Sequence, residues 1–401
     1  ANNIAPELYA MQRYLQPDAL TTAGLHHFDA WLAQFTTEKQ ELEQKANGEF
    51  AYVSKIDEWS GVDDLQPMFF QVMDVQKAAT DPEDGKPAPR GQIYLKRPPR
   101  LNDRATIVEV PGSSEMDDVM KWVSTEYDRV IKLRPDEREG EPIVPVLVKI
   151  AEASAIDMRL AWASAPDSAT SKLSVAAKEI AQRWRDSKAI GGVQIVFLDV
   201  QNAMDERGKP GFSSHAELIR KLHEDYGIPR AELESIVSAR NPAKAVADTN
   251  AGKIRVLIGT TERMGVGINL QKRTTAIHHL DVPWRPDQLE QRNGRAIRQG
   301  HWLWSQGKIA GVEEVRYATV GSMDAFKWGK VERKGASISA VMTRRPKGSR
   351  GAVEDVDIGG EDGQGGAEEI AQIKAIASGN PYLLEVAGIK KQMKRLEGLR
   401  K

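Results

Sequence analysis

Two short runs constrain the fold more than anything else in the chain: residues 193–198 (VQIVFL) and 254–259 (IRVLIG) are apolar at nearly every position. A strand with one wet face alternates apolar and polar residues. Continuous apolar runs of this length belong instead to strands covered on both faces, the usual condition of a parallel sheet. The flanking sequence supplies the covers: helix 171–186, strand 193–199, helix 213–225, strand 234–237, helix 242–249, strand 254–259, strand 276–280 and helix 286–298. Such alternation predicts an α/β fold, a parallel sheet with crossover helices.

The first part of the chain reads differently. Leu8, Met11 and Leu15, then Phe28, Trp31, Leu32 and Phe35, fall at helical spacing across 7–45, and a weaker helical pattern continues over 52–80. A Pro- and Asp-rich loop at 81–87 precedes a short strand at 105–110, a helix over 116–133, and an apolar segment opening at 144–150. A first domain is therefore placed at 1–165 and the α/β unit at 166–350. Residues 351–377 are acidic and Gly-rich and form a linker. In 378–401, Leu383, Val386, Ile389, Met393, Leu396 and Leu399 predict an amphipathic helix.

With no cysteine among 401 residues, disulfides, thiol nucleophiles and thiolate metal sites are excluded. No stretch approaches the roughly 18 to 20 apolar residues of a membrane-spanning helix, and the expected location is cytoplasmic. The net charge of −1 gives no global sign of a polyanion partner, so any phosphate-contacting surface must come from local clustering.

The chemistry concentrates after the strand at 254–259. Thr260 and Thr261 open a loop in which Gly265 and Gly267 allow close backbone approach to an anion, and Thr260 and Asn269 offer side-chain hydrogen bonds. Ligands of parallel sheets sit where strands end, which is where this loop lies. Alone, a loop with two glycines is an ordinary tight turn. The next helix adds Gln291, Arg295 and Arg298 at spacings of four and three, placing an amide and two guanidiniums on one face, where a triphosphate matches them; a solvated basic face is the plainer alternative. His278 and His279 are adjacent on a strand and point to opposite faces, so they do not chelate a metal together.

These stretches resemble the second RecA-like lobe of superfamily 2 helicases, in particular the Snf2-type branch of double-stranded DNA translocases. TTERMGVGINLQ (260–271) resembles motif V and QRNGRAIR (291–298) motif VI. VQIVFLDV (193–200) is similar to motif IV, Ser171-Lys172-Leu173 to the entry of the lobe, and HHLDVPWRP (278–286) to the strand and turn before motif VI. Residues 319–334 resemble the lobe's trailing segment, and Asn2-Asn3 with Glu7-Leu8-Tyr9 the stretch after motif III. In its long form the chain is similar to large phage- and plasmid-borne helicases, often joined to an adenine-N6 methyltransferase and linked to antirestriction. It departs from the family in having Trp284-Arg285-Pro286 where Trp-Asn-Pro is usual.

The resemblance implies a P-loop NTPase lobe preceded by a helical remnant of the first lobe, and it implies ATP and Mg²⁺ as cofactors. Arg298 would be the arginine finger, Arg295 its companion and Gln291 their orienting residue. Gly265, Gly267 and Asn269 would lie toward the nucleotide site. Thr260, Thr261, Arg344, Arg345 and Lys347 would face DNA, bound without sequence preference, and Lys96, Arg97, Arg100 and Arg104 would form a DNA-contacting hinge. The chain has no GxxxxGK[ST] loop and no acidic DExx box at a strand end. The magnesium and β/γ-phosphate machinery is thus expected from an N-terminal lobe, in cis or on another chain, and the isolated chain is expected to be inactive. Ala1 in place of Met, and a helical pattern still running at Lys401, lead to the expectation of a fragment, a processed product or one half of a split gene; the resemblance implies a bacterial, phage or plasmid origin. A non-catalytic DNA- or partner-binding module derived from a helicase lobe is the alternative.

Overall fold

Alternate residues of the apolar runs part to opposite sides of one sheet. Val196 and Leu198 join Val256 and Ile258 in one buried cluster, whereas Ile195 and Phe197 join Leu257 and Ile277 in another. This period-two division is what strands covered on both faces require.

The computed structural model describes residues 4–44, 50–80, 87–88, 92–133, 144–204, 210–265 and 267–342. The opening part comprises α1 (Ile4–Leu15), α2 (Pro17–Thr22), α3 (Phe28–Phe35), β1 (Thr36–Gln44), β2 (Phe50–Trp59), α4 (Val62–Val72), β3 (Lys77–Thr80) and β4 (Gln92–Leu95). Next come β5 (Thr106–Val110), α5 (Ser114–Lys132), α6 (Val144–Ile156), α7 (Met158–Ala161), α8 (Lys172–Asp186) and β6 (Val193–Phe197). A small hairpin of β7 (Asn202–Met204) and β8 (Pro210–Ser213) leads to α9 (Ser214–Arg220), β9 (Leu233–Ser235), α10 (Pro242–Asn250), β10 (Val256–Gly259) and α11 (Thr261–Gly265). The described chain closes with β11 (Thr274–His279), α12 (Pro286–Asn293), α13 (Trp302–Ser305), β12 (Glu313–Thr319) and α14 (Asp324–Met342).

Six strands form one sheet in the order β5-β12-β11-β6-β10-β9, and every neighbouring pair is parallel. Helices α8 and α9 and the helical turn after α9 cover one face through Leu173, Ala177, Ile180, Leu218 and Leu222, and the other is covered from α10 and the segment after α12 by Ala245 and Ala296. This is the parallel α/β architecture that the alternating pattern predicts.

The sheet reaches beyond the 166–350 segment at one edge, where β5 pairs with β12. In the opening part, residues 36–44 and 50–59 are paired antiparallel strands, not the helices expected there from the sequence. The Glu- and Gln-rich stretch 38–44 has good helix propensity, but Phe50, Tyr52 and Ile56 fall at even spacing. Strand pairing overrides so weak a preference. Strand β12 is not predicted by the apolar pattern, because EEVRYAT carries three charges; Glu314 and Arg316 are nonetheless buried in it.

Helix α14 ties the opening helices to the sheet. Its Val341 packs in a cluster with Leu8, Trp31, Phe35, Leu65 and Phe69, and the Val341 carbonyl accepts from Gln66 Nε2 at 3.1 Å. Within that cluster Trp31 Nε1 donates to Gln12 Oε1 at 2.9 Å, so the indole is satisfied in an apolar surround. No helix among the described residues is long and apolar enough to cross a membrane. Residues 351–377 and 378–401 lie outside the described residues.

At the entry to the lobe, Ser171 caps α8 by accepting from Ser174 N, and Lys172, 1% exposed, reaches Asp324 Oδ2 at 2.8 Å. The same oxygen accepts from Thr319 N at the end of β12. A buried ammonium and carboxylate of this kind add little net stability over an apolar pair, but removing one partner strands the other in low dielectric. Lys172→Ala is therefore expected to lower the unfolding free energy by about 3 to 5 kcal/mol. Urea denaturation measures this, and an unshifted midpoint would contradict it.

Candidate functional site

Three of the central strands end in the same short sequence of events. β6 is followed by Leu198-Asp199, β10 by Thr260-Thr261, and β11 by Leu280-Asp281. Because the strands are parallel and adjacent, these three endings meet at one edge of the sheet. Thr261 donates its N–H to Asp199 Oδ1 at 2.6 Å and its hydroxyl to Asp199 Oδ2 at 2.8 Å. Asp281 Oδ2 accepts from the backbone N–H groups of Asp199 and Val200.

Into this cluster α12 inserts Arg292, which is fully buried. Its Nε donates to Thr261 Oγ1 at 2.7 Å, Nη1 to the Asp281 carbonyl at 2.9 Å, and Nη2 to Asp199 Oδ2 and Asp281 Oδ1, both at 2.9 Å. The guanidinium also lies over the Phe197 ring, 5.2 Å from its centroid. Motif spacing does not single out Arg292, Asp199 or Asp281. The repeated Leu-Asp immediately after two apolar strands is the available signal, since a carboxylate at a buried strand end needs a cation.

The arginine-bearing segment is not one continuous helix over 286–298, as expected from the sequence. Helix α12 ends at Asn293 with Gly294 as its cap, and the chain then tightens: Arg295 N bonds the Arg292 carbonyl and Ala296 N the Asn293 carbonyl, three residues back. Gln291, Arg295 and Arg298 therefore do not share a regular helical face. Arg295 is half-buried and pinned, its Nε donating to the Gln291 carbonyl at 3.1 Å and its Nη1 to the Ile268 carbonyl at 2.8 Å. Burial, and then the nearby charge of Arg298, hold its pKa below the ordinary guanidinium value. Gln291 meets Arg295 through its main-chain oxygen. Arg298 is exposed, and among the described residues no carboxylate pairs with it.

The loop residues divide in the same way. Thr260 and Thr261 are buried, and both hydroxyls are engaged internally, Thr260 Oγ1 accepting from Arg263 N at 3.2 Å. They hold the loop. Gly265 closes α11. Gly267 has φ +73° with open space where a Cβ would project, so glycine is required there by backbone conformation alone. Asn269 is exposed, and its carbonyl accepts from Asn250 Nδ2 at 2.7 Å. Arg263 is exposed on the same loop. Arg344, Arg345 and Lys347 lie outside the described residues. Arg100 turns inward, toward Glu314 at 3.5 Å.

Beneath α12 a second buried polar group completes the site. Glu314 accepts from Arg316 Nε at 2.6 Å and from Asn293 Nδ2 at 3.1 Å; burial opposes its charge, but Arg316 and Arg100 bring its pKa down to about 2. His279 contacts Asn293 Oδ1 at 3.0 Å and is kept neutral by burial, its pKa lowered to about 3. His278 faces the other way, to Tyr317 Oη and Gln194 Oε1, and is lowered well below the ordinary imidazole value by burial. On unfolding, the two histidines take up protons below their ordinary pKa of 6.5, and Glu314 below 4.5. Because the unfolded chain binds more protons, stability is full above about pH 6.5 and falls as acid is added, the histidine part first. Denaturant unfolding between pH 7 and 4 checks the sign. Glu314→Gln should leave the upper part of the curve and flatten the part below 4.5.

Residues 174–300 match the family described as Helicase conserved C-terminal domain. Over 126 residues the chain is 33% identical to Defense against restriction protein B of Escherichia phage P1; the match spans 31% of this chain and 5% of that protein's length. Among solved structures it is similar to the C-terminal part of the Fun30 ATPase domain (13% identity, TM-score 0.39, covering 59% of this chain and 90% of that one). It is also similar to the Sulfolobus solfataricus SWI2/SNF2 ATPase core domain (17% identity, TM-score 0.39, covering 55% of this chain and 41% of that one). The strand endings, Arg292 and the arginine turn all lie within the 174–300 stretch that matches the Helicase conserved C-terminal domain.

Proposed function

We propose that this lobe is of the Snf2 type and forms the second half of an ATP-dependent double-stranded DNA translocase. In this reading Arg298 faces a nucleotide held by a separate N-terminal lobe, in cis or as another chain. The observation that carries it is the unequal treatment of three neighbouring arginines: Arg292 is buried among carboxylates, Arg295 is fastened to two carbonyls, and Arg298 projects without a carboxylate partner among the described residues. An exposed guanidinium held by a rigid turn fits phosphate oxygens and offsets charge developing on a transferred phosphoryl group. Arg295 and Gln291 set its direction.

The donor set is cationic and lacks carboxylates facing outward from the turn, so it suits ATP and not Mg²⁺. The metal, with the β- and γ-phosphates, would be held mainly by the other lobe, to which the missing GxxxxGK[ST] loop and DExx box belong. On the motif V loop, Arg263, Gly267 and Asn269 are exposed and fit a phosphate backbone, with Thr260 and Thr261 supporting them from within. Arg344, Arg345 and Lys347 would extend that contact. Binding would be indifferent to sequence and weakened by salt. The similarity to a phage defense-against-restriction protein supports an antirestriction setting; a cytoplasmic location and an attached adenine-N6 methyltransferase belong to the same reading.

When the chain is supplied with its nucleotide-gripping lobe, ATP hydrolysis should be stimulated by duplex DNA. Arg298→Ala should lower turnover by about 10³-fold or more, with the DNA affinity measured by fluorescence anisotropy nearly unchanged. Hydrolysis undiminished in that variant would refute the assignment and leave a non-catalytic DNA-binding module in its place.

A further inference from the structure

Asn293 occupies the point where α12 stops and the arginine turn begins, and its carbonyl and side-chain amide are both engaged. The carbonyl accepts from Ala296 N at 3.1 Å and Ile297 N at 2.9 Å, inside the turn. The side chain lies between two adjacent strands, with Oδ1 3.0 Å from His279 Nε2 on β11 and Nδ2 donating to Glu314 Oε2 at 3.1 Å on β12. Glu314 is 0% exposed. A buried carboxylate is costly unless fully paired, and here Arg316 and Arg100 compensate it from two directions.

We propose that Asn293 and Glu314 are positioning residues for Arg295 and Arg298. Their buried hydrogen bond anchors the end of α12 to β12 and sets the direction in which the arginine turn leaves the lobe. The inference rests on the reading of Arg298 as the nucleotide-facing arginine. The neighbouring residues of the turn are held in other ways. Ala296 packs in the core through an apolar side chain, and Arg295 bonds carbonyls at 268 and 291, on the loop and the helix. Arg100 extends the anchor further. Its segment pairs with the residue before β12, Leu101 N donating to the Val312 carbonyl at 2.8 Å and Val312 N to the Pro99 carbonyl at 3.0 Å. The connection from the opening helices thus abuts the same carboxylate that holds the arginine turn.

The direct test is arginine side-chain NMR on the intact chain. In Asn293→Leu, hydrogen exchange at Arg295 Nε–H should rise by about tenfold or more, while Arg292 Nε–H stays protected and the backbone spectrum is retained. Glu314→Gln, which keeps the shape and an acceptor, should show a smaller change in the same direction, and it serves as the test if Asn293→Leu does not fold. Unchanged protection at Arg295, or equal loss at Arg292, overturns the proposal. In the protein completed by its nucleotide-gripping lobe, Asn293→Leu should lower kcat about tenfold with KM for ATP within about twofold, and should add nothing to Arg298→Ala, as residues acting through one another do. A further loss in the double variant also overturns it. If Arg298→Ala alone hydrolyses normally, the finger assignment fails, while the NMR result still decides whether Asn293 orders the turn.

Discussion

The buried guanidinium of Arg292 is the interaction on which the rest of the site depends. A charge with no solvent contact survives only if every donor is used, and here the partners come from the ends of three adjacent parallel strands. The arrangement fastens those ends to one another as firmly as it fastens the helix to them. Asp199 and Asp281 would repel if unpaired, and Thr261 alone cannot separate them. With Arg292 between them, the carboxyl edge of the sheet becomes a single rigid body. A rigid edge is what an exposed arginine six residues further on requires, because a fork of donors is specific only when its base does not move.

From that base the three arginines form a gradient of exposure within two turns of chain. Arg292 serves the fold. Arg295 is half spent on carbonyls, and burial and then the nearby charge of Arg298 disfavour its own charge. Arg298 stands outermost. The change from helix to tighter turn at Gly294 produces this gradient, since a regular helix would have carried Arg295 and Arg298 along the same face as Gln291. A glycine at that position also admits the close approach of the Glu290 carbonyl, 3.2 Å from where a Cβ would stand.

Much of this is legible in the sequence, for physical reasons that differ by element. Strands β6 and β10 are plain because burial on both faces leaves few polar positions, and α8 because Ser171 caps a clean helical period. The loop glycines and the arginine spacing mark 260–298 as the candidate stretch, although the helical face expected for Gln291, Arg295 and Arg298 is broken after Asn293. What stays hidden are features made by tertiary pairing. Strand β12 carries Glu314 and Arg316 on the same buried face, so charge disguises a strand whose charges are satisfied by each other and by Arg100. The strand pair of 36–44 and 50–59 is disguised by helix-favouring glutamates and glutamines. Arg292 is hidden for a related reason: in a segment rich in arginines, spacing separates those that share a helical face, but only the strand-end aspartates reveal which one is taken inside.

The hidden elements are also those that join the opening helices to the lobe, and this explains why they break the simple pattern. Helix α14 reaches back to the Trp31 cluster through Val341, and its first turn holds Lys172 through Asp324. The segment around Arg100 runs beside β12 and places its guanidinium against Glu314. An apolar residue at 314 would pack at lower cost, but it would present nothing for Arg100 or Asn293 to bond. Keeping a carboxylate there makes the register of three separate segments depend on one side chain: the connector at 100, the strand at 314 and the end of α12 at 293. A segment that shifts against β12 must then either drag the arginine turn with it or leave a charge unpaired in the core, and the second is the more expensive outcome.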